Sequence, residues 1–430
     1  MRYSIRQLIL LGTTPLGRRQ FREGLFQSMW PLLEPFGRLY RKTVLRHSLV
    51  AVIVGSLGKT TTSRALHVLM DLPPDKNFHR NFRSHVIRSL FRASPKKGRL
   101  VVEAGIDGPG QMIRYARLLT PGVTVFTAVA HEHIRSLYSL DNILNEKADM
   151  IRCLPRHGFA ILNGDDPHIL SVQPETVAPV ITYGMGDACS VRASDVVMDW
   201  PEGMRLTLHT GKGTYRVRTH LVGRHMIYPF LAAVASGLAL GMEPALVLKR
   251  LDSLQPVCGR MQPVVLKSGT VLLRDEFKST LESVHRALDT LSEIPAKNKI
   301  VIMGEISEPP GQQGPIYREI GGRIARVATQ AVFMGGNFQR YASGAASAGM
   351  QRRKLTDGGR RPSTVIRAVP DTGPDTVILI KGRFSQKMER VSLALMGRPV
   401  RCDIPSCHAR STYCDTCPML ERGWKGHAVM

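Results

Sequence analysis

Long apolar runs are absent from this sequence. No run approaches the roughly 18 residues that a membrane-spanning helix needs, and the apolar core LILLG near the start is too short for a secretory signal. These absences exclude a protein that spans a membrane, and they predict a location in the cytoplasm.

Acidic residues are scarce. The 34 Asp and Glu residues face 59 Lys and Arg residues, so the formal net charge is +25 at pH 7. This excess favours anionic partners: nucleotides, acidic substrates, nucleic acid or an anionic membrane surface. A nucleic-acid-dependent ATPase is one alternative, favoured by this charge and by the Cys-rich tail, but no aromatic interleaving supports nucleic-acid binding by a basic zinc module in that tail.

Cysteine is scarce until the end of the chain. Three of the seven cysteines, Cys153, Cys189 and Cys258, are scattered and are interpreted as buried small apolar residues, which excludes a secreted disulfide scaffold. The other four give the pattern C-x₄-C-x₆-C-x₂-C: Cys402, Cys407, Cys414 and Cys417. This spacing predicts a structural zinc site in the tail, with an iron–sulfur cluster or no metal as alternatives.

Residues 1–47 combine basic residues with bulky apolar ones at roughly helical spacing. Pro31 and Pro35 are expected to split this segment into short helical pieces. Two interpretations stay open. The segment is either a helical lid packed on the first domain or an interfacial segment that makes peripheral contact with anionic lipid at the inner face of the membrane.

Strand-like and helix-like patterns alternate through most of the remaining chain. Apolar runs such as SLVAVIVG and VTVFTAVA are typical of buried parallel strands, whereas residues 190–222 alternate as antiparallel strands do. The rhythm begins again after Cys258. The prediction is an α/β protein in four parts: a helical N-terminal segment at 1–47, a phosphate-binding domain with a mainly parallel sheet at 48–258, a Rossmann-like α/β domain at 259–397 and a Cys-rich tail at 398–430.

One loop carries the clearest chemistry. In VAVIVGSLGKTTTSRALHVLM, an apolar strand leads into Gly55-Ser56-Leu57-Gly58-Lys59-Thr60-Thr61 and then into a helix. Backbone N–H groups and the helix N-terminus would hold phosphate oxygens, with Lys59 at the β- and γ-phosphates and the Thr60 hydroxyl on Mg²⁺. The general pattern G-x-x-x-x-G-K-[ST] is not met, because Ile53 replaces its first glycine.

The shorter loop G-S-L-G-K-T resembles that of the Mur ligase family, whose members use ATP to form amide bonds. Further motifs follow in the family's order to about residue 395, beginning with Glu103 in LVVEAG, His133 and Lys147 spaced fourteen residues apart, and Asn163 with Asp165 and Asp166 in ILNGDD. The stretch SLYSLDNI resembles the branch that adds D-alanyl-D-alanine to a muramoyl tripeptide. The resemblance implies that Glu103 and His133 help to hold Mg²⁺ and that Asn163 lies in the nucleotide pocket. It also implies that Lys147 is carbamylated, as in many members, or neutralises an acyl phosphate.

Later motifs depart from the family in part. His225 keeps its position, but Met226 and Pro229 replace two asparagines that help to recognise adenine in the family. The resemblance implies that Arg260 reaches an ATP phosphate and that Asp275 binds the ribose.

Three basic residues, Lys278, Lys381 and Arg383, fall in motifs that line the family's substrate cleft. They are expected to bind substrate. Lys278 replaces an asparagine, which favours a more acidic substrate than D-alanyl-D-alanine.

The sequence therefore predicts an ATP-dependent ligase that joins a small-molecule or peptide-like acid to an amino acid or peptide, in the synthesis of a cell-wall or polymer precursor. Met226 and Pro229 leave a catalytically degenerate nucleotide-binding scaffold as the alternative. Only a short, helical-looking segment precedes Gly55. Because the family's peptidoglycan ligases carry a whole UDP-sugar-binding domain there, the use of a UDP-linked sugar stays open.

Overall fold

The computed structural model of the chain describes residues 12–13, 15–73, 83–106, 108–130, 139–407, 409 and 412–423. No helix within these ranges is long and apolar enough to cross a membrane.

The chain divides into two compact units. The N-terminal unit comprises Leu25–Asp199 and Gly203–Gln255, and the C-terminal unit comprises Met1–Gly24, Trp200–Glu202 and Pro256–Met430. The four-part division predicted from the sequence stays a prediction.

An eight-stranded sheet forms the centre of the N-terminal unit, in the order β2-β1-β3-β4-β5-β6-β7-β8. Its strands are β1 (Leu49–Val54), β2 (Arg99–Glu103), β3 (Val123–Phe126), β4 (Phe159–Asn163), β5 (Val180–Gly184), β6 (Val191–Asp199), β7 (Gly203–Thr210) and β8 (Gly213–Thr219). Neighbours from β2 to β6 are parallel, and β6, β7 and β8 are antiparallel. The predicted parallel run and its antiparallel end are both confirmed. The apolar strands are buried, as expected of parallel strands that helices cover on both faces.

Helices alternate with these strands, as the βα pattern predicts. The helices up to residue 255 are α1 (Pro15–Ser28), α2 (Trp30–Thr43), α3 (Lys59–Leu69), α4 (Arg83–Arg92), α5 (Gln111–Leu119), α6 (Leu140–Arg152), α7 (Pro167–Ser171), α8 (Ile227–Ala239) and α9 (Pro244–Leu251).

Helix α2 runs through Pro35 without a break. The expectation that Pro35 splits the N-terminal segment is therefore wrong. Pro31 lies in the first turn, where a missing N–H costs nothing, and Pro35 lies one turn later, where it removes a single intrahelical hydrogen bond.

A six-stranded sheet forms the centre of the C-terminal unit, in the order β13-β12-β11-β14-β10-β9. All neighbouring strands are parallel except the edge strand β9. The strands are β9 (Gln262–Val265), β10 (Val271–Asp275), β11 (Asn298–Met303), β12 (Gln330–Phe333), β13 (Leu355–Asp357) and β14 (Thr376–Lys381). The helices are α10 (Leu281–Glu293), α11 (Gln313–Val327), α12 (Phe338–Ser347), α13 (Pro362–Ala368), α14 (Glu389–Leu395) and α15 (Met419–Arg422). The prediction of an α/β fold built on parallel-rich sheets is confirmed.

Candidate functional site

The predicted phosphate loop lies between β1 and α3, at the carboxyl end of the sheet. Two of its residues need to be glycine. Gly58 precedes α3 with a φ of 82°, and Gly55 has a φ of 138°, values that residues with a side chain rarely adopt. A Cβ on Gly55 would also meet Thr127 Oγ1 at 2.0 Å. The loop backbone is thereby held close to the segment that follows β3.

Replacing Gly55 by alanine is expected to displace this loop, because both the backbone conformation and the contact with Thr127 reject a Cβ. We expect a loss of about 1–3 kcal/mol in the free energy of unfolding, together with a weaker ATP affinity measured by calorimetry. The matched control is Gly98→Ala, which also has a positive φ but open space around a Cβ. If Gly55→Ala bound ATP as the wild type does, the loop would not need this geometry.

Four of the predicted catalytic and metal-binding residues meet at this loop. Lys59 Nζ donates to Gly55 O at 2.6 Å and to Ser56 O at 3.3 Å. Thr60 Oγ1 donates to Glu103 Oε2 at 2.9 Å. Lys147 Nζ, from α6, donates to Ser56 Oγ at 2.7 Å. All these side chains are buried, so two ammonium groups and one carboxylate lie against a single phosphate-type loop.

The remaining loop residue, Thr61, is buried in the first turn of α3. His133, predicted as a partner of Glu103, lies outside the described residues.

Asn163 joins the same edge of the sheet from the end of β4. Its Nδ2 donates to Thr127 O at 2.9 Å, and its Oδ1 accepts from the Asp165 N–H at 3.1 Å. Thr127 Oγ1 in turn donates to Leu57 O at 2.5 Å. Asn163 therefore supports the loop through Thr127, and its predicted contact with nucleotide stays a prediction.

Thr127 and Tyr228 are two residues of this region that sequence reasoning missed. Tyr228 lies in α8, beside the replaced asparagine positions, and its hydroxyl donates to Asp165 Oδ2 at 2.8 Å. The sequence could have indicated Tyr228, because it is a polar residue between Met226 and Pro229, the two positions where the family's asparagines are replaced. For Thr127 the sequence gives only a weak indication, a small hydroxyl side chain directly after the buried strand β3.

His225 lies in a short 3₁₀ helix, Arg224–Met226, just before α8. It is half-buried, whereas Met226 and Pro229 are buried. The two replacements are thus buried apolar residues, and the polar side chains of this segment are those of Arg224, His225 and Tyr228.

A second group of predicted residues lies in the C-terminal unit, around Asp275 at the end of β10. Asp275 Oδ2 accepts from Lys381 Nζ at 2.6 Å, and Oδ1 accepts from the Met261 N–H at 3.2 Å. Lys381 is only 1% exposed and also donates to Lys278 O at 2.7 Å. Burial raises the pKa of Asp275, and the neighbouring Lys381 ammonium opposes that rise.

Arg260 lies beside this pair. Its guanidinium carbon is 4.5 Å from the centroid of the Phe277 ring, a cation–π contact. Its Nε is buried without a hydrogen-bond partner among the described residues. One donor of the planar guanidinium therefore makes no hydrogen bond to the described residues, and the predicted contact of Arg260 with an ATP phosphate stays a prediction.

Arg383 makes a separate ion pair with Glu305 at 3.2 Å. The C-terminal unit thus brings together Arg260, Asp275 and Lys381 with the backbone of Lys278. The predicted roles of Lys278, Lys381 and Arg383 in substrate binding stay predictions.

Three of the four tail cysteines belong to two apolar clusters, and the fourth, Cys402, contacts Arg390. Cys414 packs with Leu393 and Leu420, and Cys407 and Cys417 pack against Leu16, Ala409 and Met419. Cys402 Sγ accepts from Arg390 Nη1 at 3.5 Å. In the described part of the chain, no three His, Cys, Asp or Glu side chains are grouped to hold a metal ion. The described cysteines therefore do not fit a ready zinc site.

The tail is fastened to the C-terminal unit by buried charges. Glu389 accepts from the N–H groups of Cys414 at 2.7 Å and Asp415 at 3.4 Å. Lys387 Nζ donates to Thr412 O at 2.7 Å. Burial raises the pKa of Glu389 and lowers the pKa of Lys387. The Tyr413 ring of the tail also packs near the Phe277 ring, with centroids 5.5 Å apart, and Phe277 lies two residues after Asp275.

Replacing Glu389 by alanine is expected to loosen the tail, because two backbone donors lose their acceptor inside the protein. We expect a loss of about 2–4 kcal/mol in the free energy of unfolding and faster proteolytic release of the tail. The control is Glu421→Ala, whose side chain is 55% exposed and pairs with Arg398, and which is expected to change little. Equal proteolysis of both variants would contradict this account.

Comparison with known proteins finds a family model that matches part of this chain and relatives that are similar over more of it. Residues 53–237 match the family described as "Mur ligase middle domain". The UDP-N-acetylmuramoyl-tripeptide–D-alanyl-D-alanine ligase of Bacillus subtilis is 23% identical over 354 residues, which are 81% of this chain and 76% of that protein. The UDP-N-acetylmuramoyl-L-alanyl-D-glutamate–2,6-diaminopimelate ligase of Geobacillus thermodenitrificans is 32% identical over 212 residues, which are 48% of this chain and 43% of that protein.

Among solved structures, those of MurF have a fold similar to that of this chain. MurF from Acinetobacter baumannii has a TM-score of 0.74 at 21% identity, covering 86% of this chain and 81% of that chain. MurF from Thermotoga maritima in complex with ADP has a TM-score of 0.73 at 19% identity, covering 86% and 84%.

Residues 53–237 thus match a Mur ligase middle domain, and the predicted resemblance to the Mur ligases, which are ATP-dependent amide ligases, is confirmed. Within that class the chain is similar in sequence and fold to the D-alanyl-D-alanine-adding ligases, MurF.

Proposed function

We propose that this protein is a Mur-type ligase that couples ATP to the formation of an amide bond between a substrate carboxylate and an amine. The observation that carries the proposal is the convergence of Lys59, Lys147 and the Thr60–Glu103 pair on one loop of a Mur ligase middle domain. The γ-phosphoryl group of ATP passes to a carboxylate oxygen, giving an acyl phosphate and ADP. The amine then attacks the carbonyl carbon, loses a proton and displaces phosphate.

The chain's own residues act mainly through position and charge. The ammonium groups of Lys59 and Lys147 would lie beside the phosphoryl oxygens and stabilise the negative charge that develops there. No side chain of this set needs to act as a covalent nucleophile, because a bound acid and amine held in line already react as neighbours.

Thr60 and Glu103 fit a Mg²⁺ site. Their oxygens lie 2.9 Å apart, and magnesium is held in proteins by one or two carboxylates together with substrate phosphates. A bound Mg²⁺ neutralises phosphate charge. His133 is a further candidate ligand from the sequence. Carbamylation of Lys147, which would replace its ammonium by a carboxylate-like oxygen ligand, is the alternative to that charge stabilisation, and activity that rises with bicarbonate would support it.

The substrates are proposed from relatives. The similar proteins are named for a UDP-N-acetylmuramoyl-tripeptide acid and D-alanyl-D-alanine, and we propose a peptide-like acid and an amino acid or dipeptide for this chain. In the C-terminal unit, Arg260 and the Asp275–Lys381 pair would take an ATP phosphate and the ribose, and Lys278 and Arg383 would face an acidic substrate. Synthesis of a cell-wall precursor in the cytoplasm follows from this proposal. Peripheral contact with the inner face of the membrane is a separate part of it and depends on the N-terminal helices.

The test is release of ADP by the purified full-length chain with ATP and pairs of acids and amines, with mass spectrometry of the amide product. ADP release that requires both an acid and an amine supports a ligase. ATP hydrolysis that ignores every pair contradicts it. ATP binding without turnover supports the catalytically degenerate scaffold, which Met226 and Pro229 motivate. Metal analysis of the same preparation tests the zinc predicted for the tail, which the described cysteines do not support.

A further inference from the structure

Helix α2 is firmly docked on the N-terminal unit by one face. Trp30, Glu34, Gly37 and Arg41 are buried along that face. Trp30 packs edge-on against Tyr115, with ring centroids 5.8 Å apart. The docked face repeats every three or four residues, as one side of a helix does.

Polar contacts fix the position of the same helix. Arg41 donates to Leu119 O at 2.8 Å and Thr120 O at 3.2 Å, which satisfies carbonyls at the C-terminus of α5. A Cβ on Gly37 would meet Ile87 of α4 at 2.4 Å, so α2 and α4 are packed in close contact. The face of α2 that points away from the unit is therefore set by the fold.

That outer face is apolar. Leu32 (65% exposed), Phe36 (65%) and Leu39 (60%) lie on it at spacings of four and three residues. Met29 (40%), which precedes α2, and Leu25 (53%), in α1, continue the same spacing along the chain. We call these five side chains the outer stripe. A surface helix that meets only water normally turns polar residues outward. A contiguous exposed apolar stripe marks a surface for interaction.

The surroundings of the outer stripe are basic. Exposed Lys42 and Arg46 follow it along the chain. Residues 83–99, which contain α4, carry six Lys and Arg and no Asp or Glu, and Arg92, Lys96 and Lys97 are exposed. Phe91 of α4 is 37% exposed beside Tyr40 of α2, with ring centroids 5.6 Å apart.

The acidic side chain of this region is buried. Glu34 is the sole acidic residue between positions 25 and 47. It is buried and accepts from Arg38 at 2.6 Å and from Arg114. The surface thus combines apolar side chains with basic groups and presents no carboxylate from α2 or α4.

We propose that the outer stripe and the basic residues of α2 and α4 form a surface that rests on an anionic lipid bilayer. Apolar side chains would enter the boundary between headgroups and acyl chains, as those of interfacial helices do, while the basic groups meet anionic headgroups. A second copy of this chain fits less well, because pairing two such faces would bring their basic groups together. The inference rests on the part of the proposed function that concerns membrane contact, for which it names the surface and the lipid chemistry, and its test does not depend on ligase activity.

The experiment is co-sedimentation of the full-length protein with vesicles of phosphatidylglycerol and phosphatidylcholine, and with vesicles of phosphatidylcholine alone. The test variant is Leu32→Ser/Phe36→Ser/Leu39→Ser. The matched control is Val177→Ser/Val197→Ser/Leu246→Ser, which removes three exposed apolar side chains elsewhere on the same unit. We expect the wild type and control to bind anionic vesicles and the test variant to bind at least about tenfold more weakly. We also expect Lys42→Glu/Arg46→Glu to weaken binding, and added salt to weaken that of the wild type.

Thermal unfolding checks that every variant is folded, because the altered side chains are exposed. Equal binding of the test and control variants would overturn the proposal, as would absence of wild-type binding or equal binding to neutral vesicles. Sedimentation velocity decides the competing occupant. A dimer that the test variant abolishes would assign the face to a second copy instead.

Discussion

Lys59→Ala is expected to lower the rate of amine-dependent ADP release by about 10²- to 10³-fold. The Lys59 ammonium is buried and is held by Gly55 O at 2.6 Å, inside the loop that would receive the phosphates of ATP. Removing it takes away a fixed positive charge where negative charge develops during phosphoryl transfer. The measurement is steady-state ADP release at saturating ATP, together with ATP affinity by calorimetry.

Lys212→Ala is the matched control for this prediction. It removes a lysine from the same unit whose side chain is 49% exposed and is paired with Glu243. The control is expected to keep wild-type rates. Were Lys59→Ala to release ADP as fast as this control, the loop would not be the phosphate site, and the proposed function would lose its main support.

Asp275→Ala is expected to lower the free energy of unfolding by about 3–5 kcal/mol. The substitution leaves the Lys381 ammonium, only 1% exposed, without its carboxylate, and an uncompensated buried charge is strongly destabilising. The measurement is chemical unfolding of the full-length protein at neutral pH.

Two companion variants separate the buried charge from a general effect of truncation. Lys381→Met in the Asp275→Ala background removes the orphaned charge and is expected to restore part of the lost stability. Asp375→Ala breaks an exposed pair with Lys297 and is expected to cost less than about 1 kcal/mol. A loss for Asp275→Ala as small as that of Asp375→Ala would show that the buried pair is not stabilising.

Apolar strand runs and the Gly-Lys-Thr loop could be read from the sequence because they are local patterns. Glu103 ends β2, and Lys59 and Thr60 begin the helix that follows β1, so their meeting at one sheet edge is a consequence of parallel topology. Asp275 was predicted instead from the resemblance to a Mur ligase motif, and it lies at the end of β10; its role in binding stays a prediction.

Other parts depend on contacts that no local pattern encodes. Thr127 closes the loop through Leu57 O, 70 positions away, and the docking of the tail on Glu389 joins positions 25 apart. The prediction of a helix break at Pro35 was wrong because the packing of α2 on the N-terminal unit outweighs the one hydrogen bond that the proline removes. For the outer stripe, the sequence predicted a helix but not which of its faces is exposed. Helical spacing was visible in the sequence, but which face is docked emerged only with Trp30 and Arg41.

The position of β14 in the C-terminal sheet has a consequence for synthesis of the chain. This strand is made last, yet it lies between β10 and β11. Until the ribosome has passed Lys381, β10 and β11 have no common neighbour, and each leaves backbone groups unpaired, as strand edges do. The ion pair between Asp275 and Lys381 joins positions 106 apart and closes at the same late moment. The C-terminal unit is therefore expected to complete its fold after translation of its last strand, and nascent chains halted before residue 376 are expected to be captured by chaperones.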